Sequence, residues 1–211
     1  MGKSLPSNCA RLTKGFVCLA GTGGALSDSD LLEAVAEGDH DAFALLMKRH
    51  LASMVTLAHR IVFDREQAHE IAQEAFLRVW KHADKWDPYG SATFLTWLRR
   101  VVINLSISCR RRVREQVSLD AIEELPSGLA DGFDDIATAD RKRIVREALS
   151  ALPERQRAAV ALYYFEDLPQ MQAAEVMQMT SRAFDSLIVR ARTNLKKHLA
   201  GLGLRHQEVL P

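Results

Sequence analysis

Phe94, Trp97, Leu98, Val101, Val102 and Leu105 recur at i, i+3, i+4, i+7, i+8 and i+11, which places them on one face of an α-helix. The same 3.6-residue period runs through most of the chain, and the alternation of a half-buried strand is nearly absent. This restricts the fold to the all-α class. Leu31, Leu32 and Val35 open a first helix that Gly38-Asp39 ends. Phe43, Leu46, His50, Val55, Ala58, Ile61 and Val62 read as one or two further helices. Asp64, with Gln67 three residues on, is an N-cap signal for a helix whose apolar face is Ala68, Ile71, Ala72, Ala75, Phe76, Val79 and Trp80. Asp87-Pro88 and Gly90 break the pattern before the Phe94 helix.

The periodicity then stops. Residues 116–139 are acidic, carry Pro126, Gly128 and Gly132, and read as a flexible linker. Helical spacing resumes at Ile144, Val145, Ala148, Leu149 and Leu152, with Pro153 placed as a first helical residue. A bend at Glu166-Asp167 and a second proline, Pro169, precede a short helix with Ala173, Ala174 and Met177. A turn at Gln178-Met179-Thr180 leads to a longer helix with Phe184, Leu187, Ile188, Ala191, Leu195 and Leu199 inward. The predicted organisation is a tail over 1–26, a helical domain over 27–114 and a linker over 115–140. A small helical bundle over 141–200, ending in a helix-turn-helix, and a tail over 201–211 complete it.

The net charge of +1 favours no class of partner, but its distribution does. From Arg99 to Arg114 the chain carries Arg99, Arg100, Arg110, Arg111, Arg112 and Arg114 with no acid. From Glu115 to Asp140 it carries eight acids and no base. Arg182, Arg190, Arg192, Lys196 and Lys197 then form a second basic stretch. Three cysteines (Cys9, Cys18 and Cys109) without a CxxC pair suit a reducing compartment. No apolar run reaches the roughly 20 residues of a membrane span. The short GFVCLAG after Lys14 runs into GTGG and reads as part of a tail rather than an export signal.

Two adjacent alanines in a short helix, a tight turn and a longer arginine-bearing helix favour a DNA-reading helix-turn-helix over an ordinary helical hairpin. The run at 99–114 lies beside Trp86, Tyr89, Phe94 and Trp97, and aromatics next to arginines suit unstacked bases plus phosphates. Phe94 and Trp97 also fall on the apolar stripe, so Trp97 is expected in the core and Trp86 is the better base-contact candidate. Glu37-x-x-His40 and Glu66-x-x-His69 match the spacing of di-iron bundles. Gly38-Asp39 interrupts the first, however, and His69 lies off the apolar face. GTGG lacks the preceding strand and the Lys-Ser/Thr of a phosphate loop.

Two stretches together carry a resemblance. DAFALLMKRH, AHEIAQEAFLRVWKHADKWDP and FLTWLRRVVINLSISCRRR resemble region 2 of the extracytoplasmic-function (ECF) sigma factors of the sigma-70 family. ALSALPERQRAAVALYYFEDL through SLIVRARTNLK is similar to their region 4. The resemblance implies a promoter-recognition subunit of bacterial RNA polymerase, cytoplasmic, with no catalysis, cofactor, metal or small-molecule substrate of its own. It implies that Glu70, Gln73, Glu74, Phe76, Leu77 and Trp80 dock on the clamp of the polymerase's largest subunit. The loop Lys85–Thr93 and the helix after it would melt the −10 element. There Trp86, Tyr89, Phe94 and Trp97 would take bases, and Arg99, Arg100, Asn104, Arg111 and Arg112 would hold phosphates and duplex edges. Thr180, Arg182, Asp185, Ser186, Val189, Arg190 and Arg192 would read the −35 element. An anti-sigma factor, often membrane-anchored in the family, is the implied regulator.

Three positions depart from the family pattern: Ser108 for the usual aspartate, Gln178 for the turn glycine, and Asp185 where most members carry Lys or Arg. Gln178 must then adopt a left-handed conformation, and Asp185 bears on which −35 bases are preferred. The competing readings are a DNA-binding regulator that does not engage polymerase and a metal-binding helical enzyme.

Overall fold

The computed structural model describes residues 26–87, 93–119 and 136–202, and these form eight α-helices with no strand among them. Each helix start in the first half follows from a local cap. Ser27 and Asp30 exchange hydrogen bonds (Asp30 N to Ser27 Oγ 3.2 Å, Ser27 N to Asp30 Oδ2 2.9 Å) and open α1, Asp28–Ala36. Gly38, at φ +89°, makes the reversal that a side chain would strain. Asp39 then accepts from Asp41 N (2.8 Å) and Ala42 N (3.0 Å) to start α2, His40–Val62. The stretch left open as one or two helices is a single one, since nothing between His40 and Val62 breaks it. Asp64 accepts from Gln67 N at 2.9 Å and starts α3, Arg65–His82, as its N-cap signal predicts. A 3-10 turn at Ala83–Lys85 ends it, and α4, Phe94–Leu119, follows. Leu46, Met54, Leu57, Ile61, Phe76, Val79, Leu98, Val102 and Ile103 are sealed between α2, α3 and α4.

The second half contains α5 (Ile136–Ser150), α6 (Glu154–Val160), α7 (Gln170–Val176) and α8 (Ser181–Gly201). Pro153 sits one place earlier than predicted, and Pro169 precedes its helix as expected. At ψ 143° and 145° both are extended N-caps, and the helices begin at Glu154 and Gln170. A π-type turn over Ala161–Phe165 prolongs α6, with Glu166 N bonded to Ala161 O at 3.1 Å. Ala158, Leu162, Ala173, Ala174, Phe184, Ile188 and Ala191 fill the core of this half. Both helices flanking the predicted linker intrude on it. α4 runs five residues past Arg114, and α5 starts at Ile136, because neither flank holds a proline or glycine. The remainder of the linker and both predicted tails fall outside the described residues, apart from Leu26, Gly201 and Leu202.

The halves are not separate beads. α6 packs on α2 and α4, and α7 packs on α4. At the centre lies Arg157, 2% exposed. Its Nε donates to Leu149 O (2.9 Å), which also accepts from Leu152 N (3.1 Å), and its Nη2 donates to Ser150 O (2.5 Å) and Leu152 O (3.0 Å), carbonyls at and just past the end of α5. Nη1 crosses to the other half and donates to Ile61 O at 2.6 Å, near the end of α2. The guanidinium also faces the Phe63 ring at 5.1 Å. Burial, aided by Arg110, lowers its pKa to about 10, so the group is still charged at neutral pH and depends on those carbonyls.

Arg157→Met strands the Ile61, Ser150 and Leu152 carbonyls and should lower the unfolding free energy by about 3 kcal/mol in urea denaturation. A loss below about 0.5 kcal/mol would show that the carbonyls find other donors. Gln178, exposed at φ 53°, pays the left-handed strain expected of it. Gln178→Gly should therefore raise stability by roughly 0.5 kcal/mol. A lower melting temperature would show that the glutamine side chain contributes contacts worth more than the strain.

Candidate nucleic-acid and polymerase interfaces

The periodicity of α3 divides it into a buried stripe and an outer face. Glu70, Gln73 and Leu77 point outward, and Leu77 is 49% exposed, a large apolar side chain that the core does not use. Glu74 is partly exposed beside them and accepts from Arg78 Nε at 2.9 Å. Two residues grouped with this face are placed otherwise. Phe76, at 1% exposure, lies within the core, so it supports the face without being able to touch a partner. Trp80 is half-buried, stacked on His40 at 4.7 Å and edge-on to Phe43 at 5.2 Å. That stack also occupies His40, one of the histidines weighed as a metal ligand.

Where α3 gives way to α4, three aromatic rings meet. Trp86 is edge-on to Phe94 (6.0 Å) and close to Trp97 (6.4 Å), and Phe94 stacks with Trp97 at 6.4 Å. Trp86, Phe94 and Trp97 line a cavity of about 190 Å³ together with Leu32, Val79, His82, Ala83 and Lys85. The Trp86 indole Nε1 is shielded from solvent with no acceptor among the described residues. Phe94, 4% exposed, is a core residue and cannot take a base directly. This is the place its position on the apolar stripe implies. Trp97 is half-buried on the core edge, and Tyr89 lies outside the described residues.

Along α4, Asn104, Arg111 and Arg112 are exposed. Arg99 and Arg100 are not: they are turned against the second half. Arg99 Nη2 donates to Glu166 Oε2 at 3.4 Å and Arg100 Nη2 to Glu175 O at 3.0 Å. The structure thus turns Arg99 and Arg100 toward the second half, where Arg114 Nη1 also donates to Glu154 Oε1 at 3.3 Å, and leaves Asn104, Arg111 and Arg112 as an outward set. Cys109, on the same helix, donates from Sγ to Gln67 Oε1 at 3.2 Å. Burial raises its thiol pKa despite Arg112 and Arg110, which favours the protonated thiol.

In the second half, Thr180 caps α8 by accepting from Ala183 N at 3.2 Å. Arg182, Asp185, Ser186, Val189 and Arg190 form its exposed face, with Val189 52% exposed. Arg190 Nε is drawn back to Ser186 O at 3.1 Å. Arg192 lies on the far flank, over the Tyr164 ring and bonded to its hydroxyl. Among the described residues no ion pair joins Arg182 to Asp185, so the carboxylate is presented outward in its own right. Sequence reasoning missed Arg60, Arg157 and Glu166. The Arg60–Glu166 pair and the Arg157–Ile61 bond each span about a hundred residues, which no local pattern encodes.

The model of sigma-70 region 2 matches residues 46–116, and that of sigma-70 region 4 matches residues 142–195. The RNA polymerase sigma-H factor of Pseudomonas aeruginosa is 32% identical over 187 residues, covering 83% of this chain and 95% of that protein. The ECF RNA polymerase sigma factor SigW of Bacillus subtilis is 28% identical over 81% of this chain and 96% of its own length. Among solved structures, CnrH in complex with the cytosolic domain of CnrY superposes with a TM-score of 0.61 at 24% identity, over 82% of this chain and 97% of that one. The sigma factor RpoE of Bartonella quintana, in complex with the anti-sigma factor NepR, gives 0.57 at 20% identity, over 75% and 96%. These two share the fold. With both regions matched in order and a relative aligned along nearly its whole length, the chain belongs to the extracytoplasmic-function group of the sigma-70 family of RNA polymerase sigma factors.

Proposed function

We propose that this alternative sigma factor divides its work among three surfaces. The outer face of α3 (Glu70, Gln73, Glu74 and Leu77) holds the clamp of core polymerase. Trp86, the loop after it and the outward set on α4 (Asn104, Arg111 and Arg112) open the −10 element, joined by Arg99 and Arg100 once these are released. The exposed face of α8 reads the −35 element. The observation that carries this reading is Leu77, half-exposed amid polar residues on a helix remote from α8. A DNA-binding regulator acting without polymerase has no use for such a face, so that reading is not favoured. Trapping an unstacked base costs a few kcal/mol, which a preformed aromatic corner offsets without ATP or a metal. The chain would therefore act as an initiation factor rather than an enzyme.

No helix among the described residues is long and apolar enough to cross a membrane. A cytoplasmic site of action follows from the partners, core polymerase and promoter DNA. An anti-sigma factor completes the reading. It is supported by the RpoE–NepR pairing in a protein of the same fold, and through it the chain would be held inactive, at a membrane if the regulator is anchored there.

Replacing Gln73 and Glu74 together with alanine should leave helicity unchanged, since the Glu74–Arg78 pair is worth only about 0.5 kcal/mol. It should weaken core binding by roughly ten-fold or more in co-purification and fluorescence titration. Undiminished binding would remove the α3 assignment. On α8, Asp185 cannot neutralise phosphate but can accept from the exocyclic amine of cytosine. Asp185→Ala should cost about 1–3 kcal/mol of discrimination at one −35 position, with little change in mean affinity across −35 variants. A uniform gain on all variants, with the preference intact, would show that Asp185 only tolerates the groove edge.

A further inference from the structure

Glu166 stands at the seam between the halves with its side chain 11% exposed, and each carboxylate oxygen faces an arginine of region 2. Oε1 accepts from Arg60 Nη1 at 2.9 Å, and Oε2 accepts from Arg99 Nη2 at 3.4 Å. Arg60 Nη1 also donates to Phe165 O at 3.1 Å, and its guanidinium lies 4.9 Å from the centre of the Phe165 ring. One residue along α4 from Arg99, Arg100 donates to the Glu175 carbonyl at 3.0 Å. Region 4 therefore supplies acceptor oxygens to two of the four α4 arginines assigned to the −10 element, Arg99 and Arg100. A carboxylate presents two oxygens to a guanidinium fork much as a phosphate does. The match is incomplete, because the Nε atoms of Arg99 and Arg100 are shut off from solvent with no acceptor among the described residues. Closure leaves donors unmet that an open, DNA-bound arrangement would satisfy.

We propose that Glu166 is an intramolecular stand-in for −10 phosphate: the free chain closes region 4 over Arg99 and Arg100, and promoter DNA must displace it. The proposal rests on the assignment of those two arginines to the −10 strand. Its logic is competition for one pair of cations. Apparent affinity for single-stranded DNA falls by the fraction of molecules that are open, and by linkage the DNA opens the chain to the same degree that opening favours the DNA.

The test uses the full chain and a fluorescent single-stranded DNA of about 20 nucleotides with randomised sequence, because phosphate contacts do not read bases. Affinity is measured by anisotropy, and compactness by X-ray scattering with and without the DNA. Two variants open the seam from opposite sides. Glu166→Gln removes a negative charge and Arg60→Gln a positive one, so simple electrostatics predicts tighter binding for the first and weaker for the second. Competition predicts a larger radius of gyration for both variants, and affinity raised roughly ten-fold in both. It also predicts that saturating DNA expands the native chain. Weaker binding by Arg60→Gln, or a native chain whose dimensions DNA leaves unchanged, overturns the proposal. The underlying assignment has its own control, the double variant Arg99→Gln, Arg100→Gln. If that protein binds DNA as the native chain does, the −10 assignment of the pair is wrong and the competition falls with it. If the double variant loses binding while both seam variants match the native chain, the competition alone is wrong.

Discussion

Arg157 is the interaction on which the arrangement depends. Three of its bonds go to carbonyls at and just past the end of α5, and the fourth joins region 4 to the end of α2. A guanidinium suits this position because its donors fan out in one plane and can reach several carbonyls at once, where an ammonium would act as a compact point charge. Among the described residues no carboxylate is bonded to it, and its charge is balanced by carbonyl dipoles, by the Phe63 ring and by the nearby Glu154. Phe63 holds its ring there from a left-handed backbone at φ 60°, so strain at the end of α2 and the buried charge belong to one feature.

Around that centre the surfaces are segregated by charge and by helix face. α3 keeps its acids and Leu77 outward, α4 carries the arginines, and α8 presents a mixed face in which Asp185 sits among cations. Each helix uses the same period twice, once to seal a core and once to expose a surface of distinct chemistry. This is why Phe76 and Leu77, adjacent in sequence, have opposite fates.

What was legible in the sequence follows from the range of the forces involved. The Asp64 cap, the extent of α3 and the left-handed Gln178 are short-range consequences of a few residues, and all are present. The apolar stripes gave the cores, Phe94 among them. The packing of the two halves was not legible. Arg60 and Glu166 read locally as ordinary charged residues and Arg99 as part of a basic run, and their pairing depends on the path of a chain segment with no periodic signal. The acidic composition of that segment suggested a free tether, while α4 and α5 extend into it from both sides.

The π-type turn at Ala161–Phe165 has a consequence for how the two halves stay in register. A π-turn accommodates one residue more than an α-helical turn, and each residue of helix corresponds to about 100° of rotation. The bond from Glu166 N to Ala161 O fixes that extra residue just before the seam. Phe165 and Glu166 face α2 by virtue of chain length, independently of which side chains occupy the turn. A lineage that lost one residue here would keep a region 4 core of much the same composition, yet swing the carboxylate away from both arginines. Coupling between the halves is therefore open to change by insertion or deletion, a route distinct from point substitution at the contacts themselves.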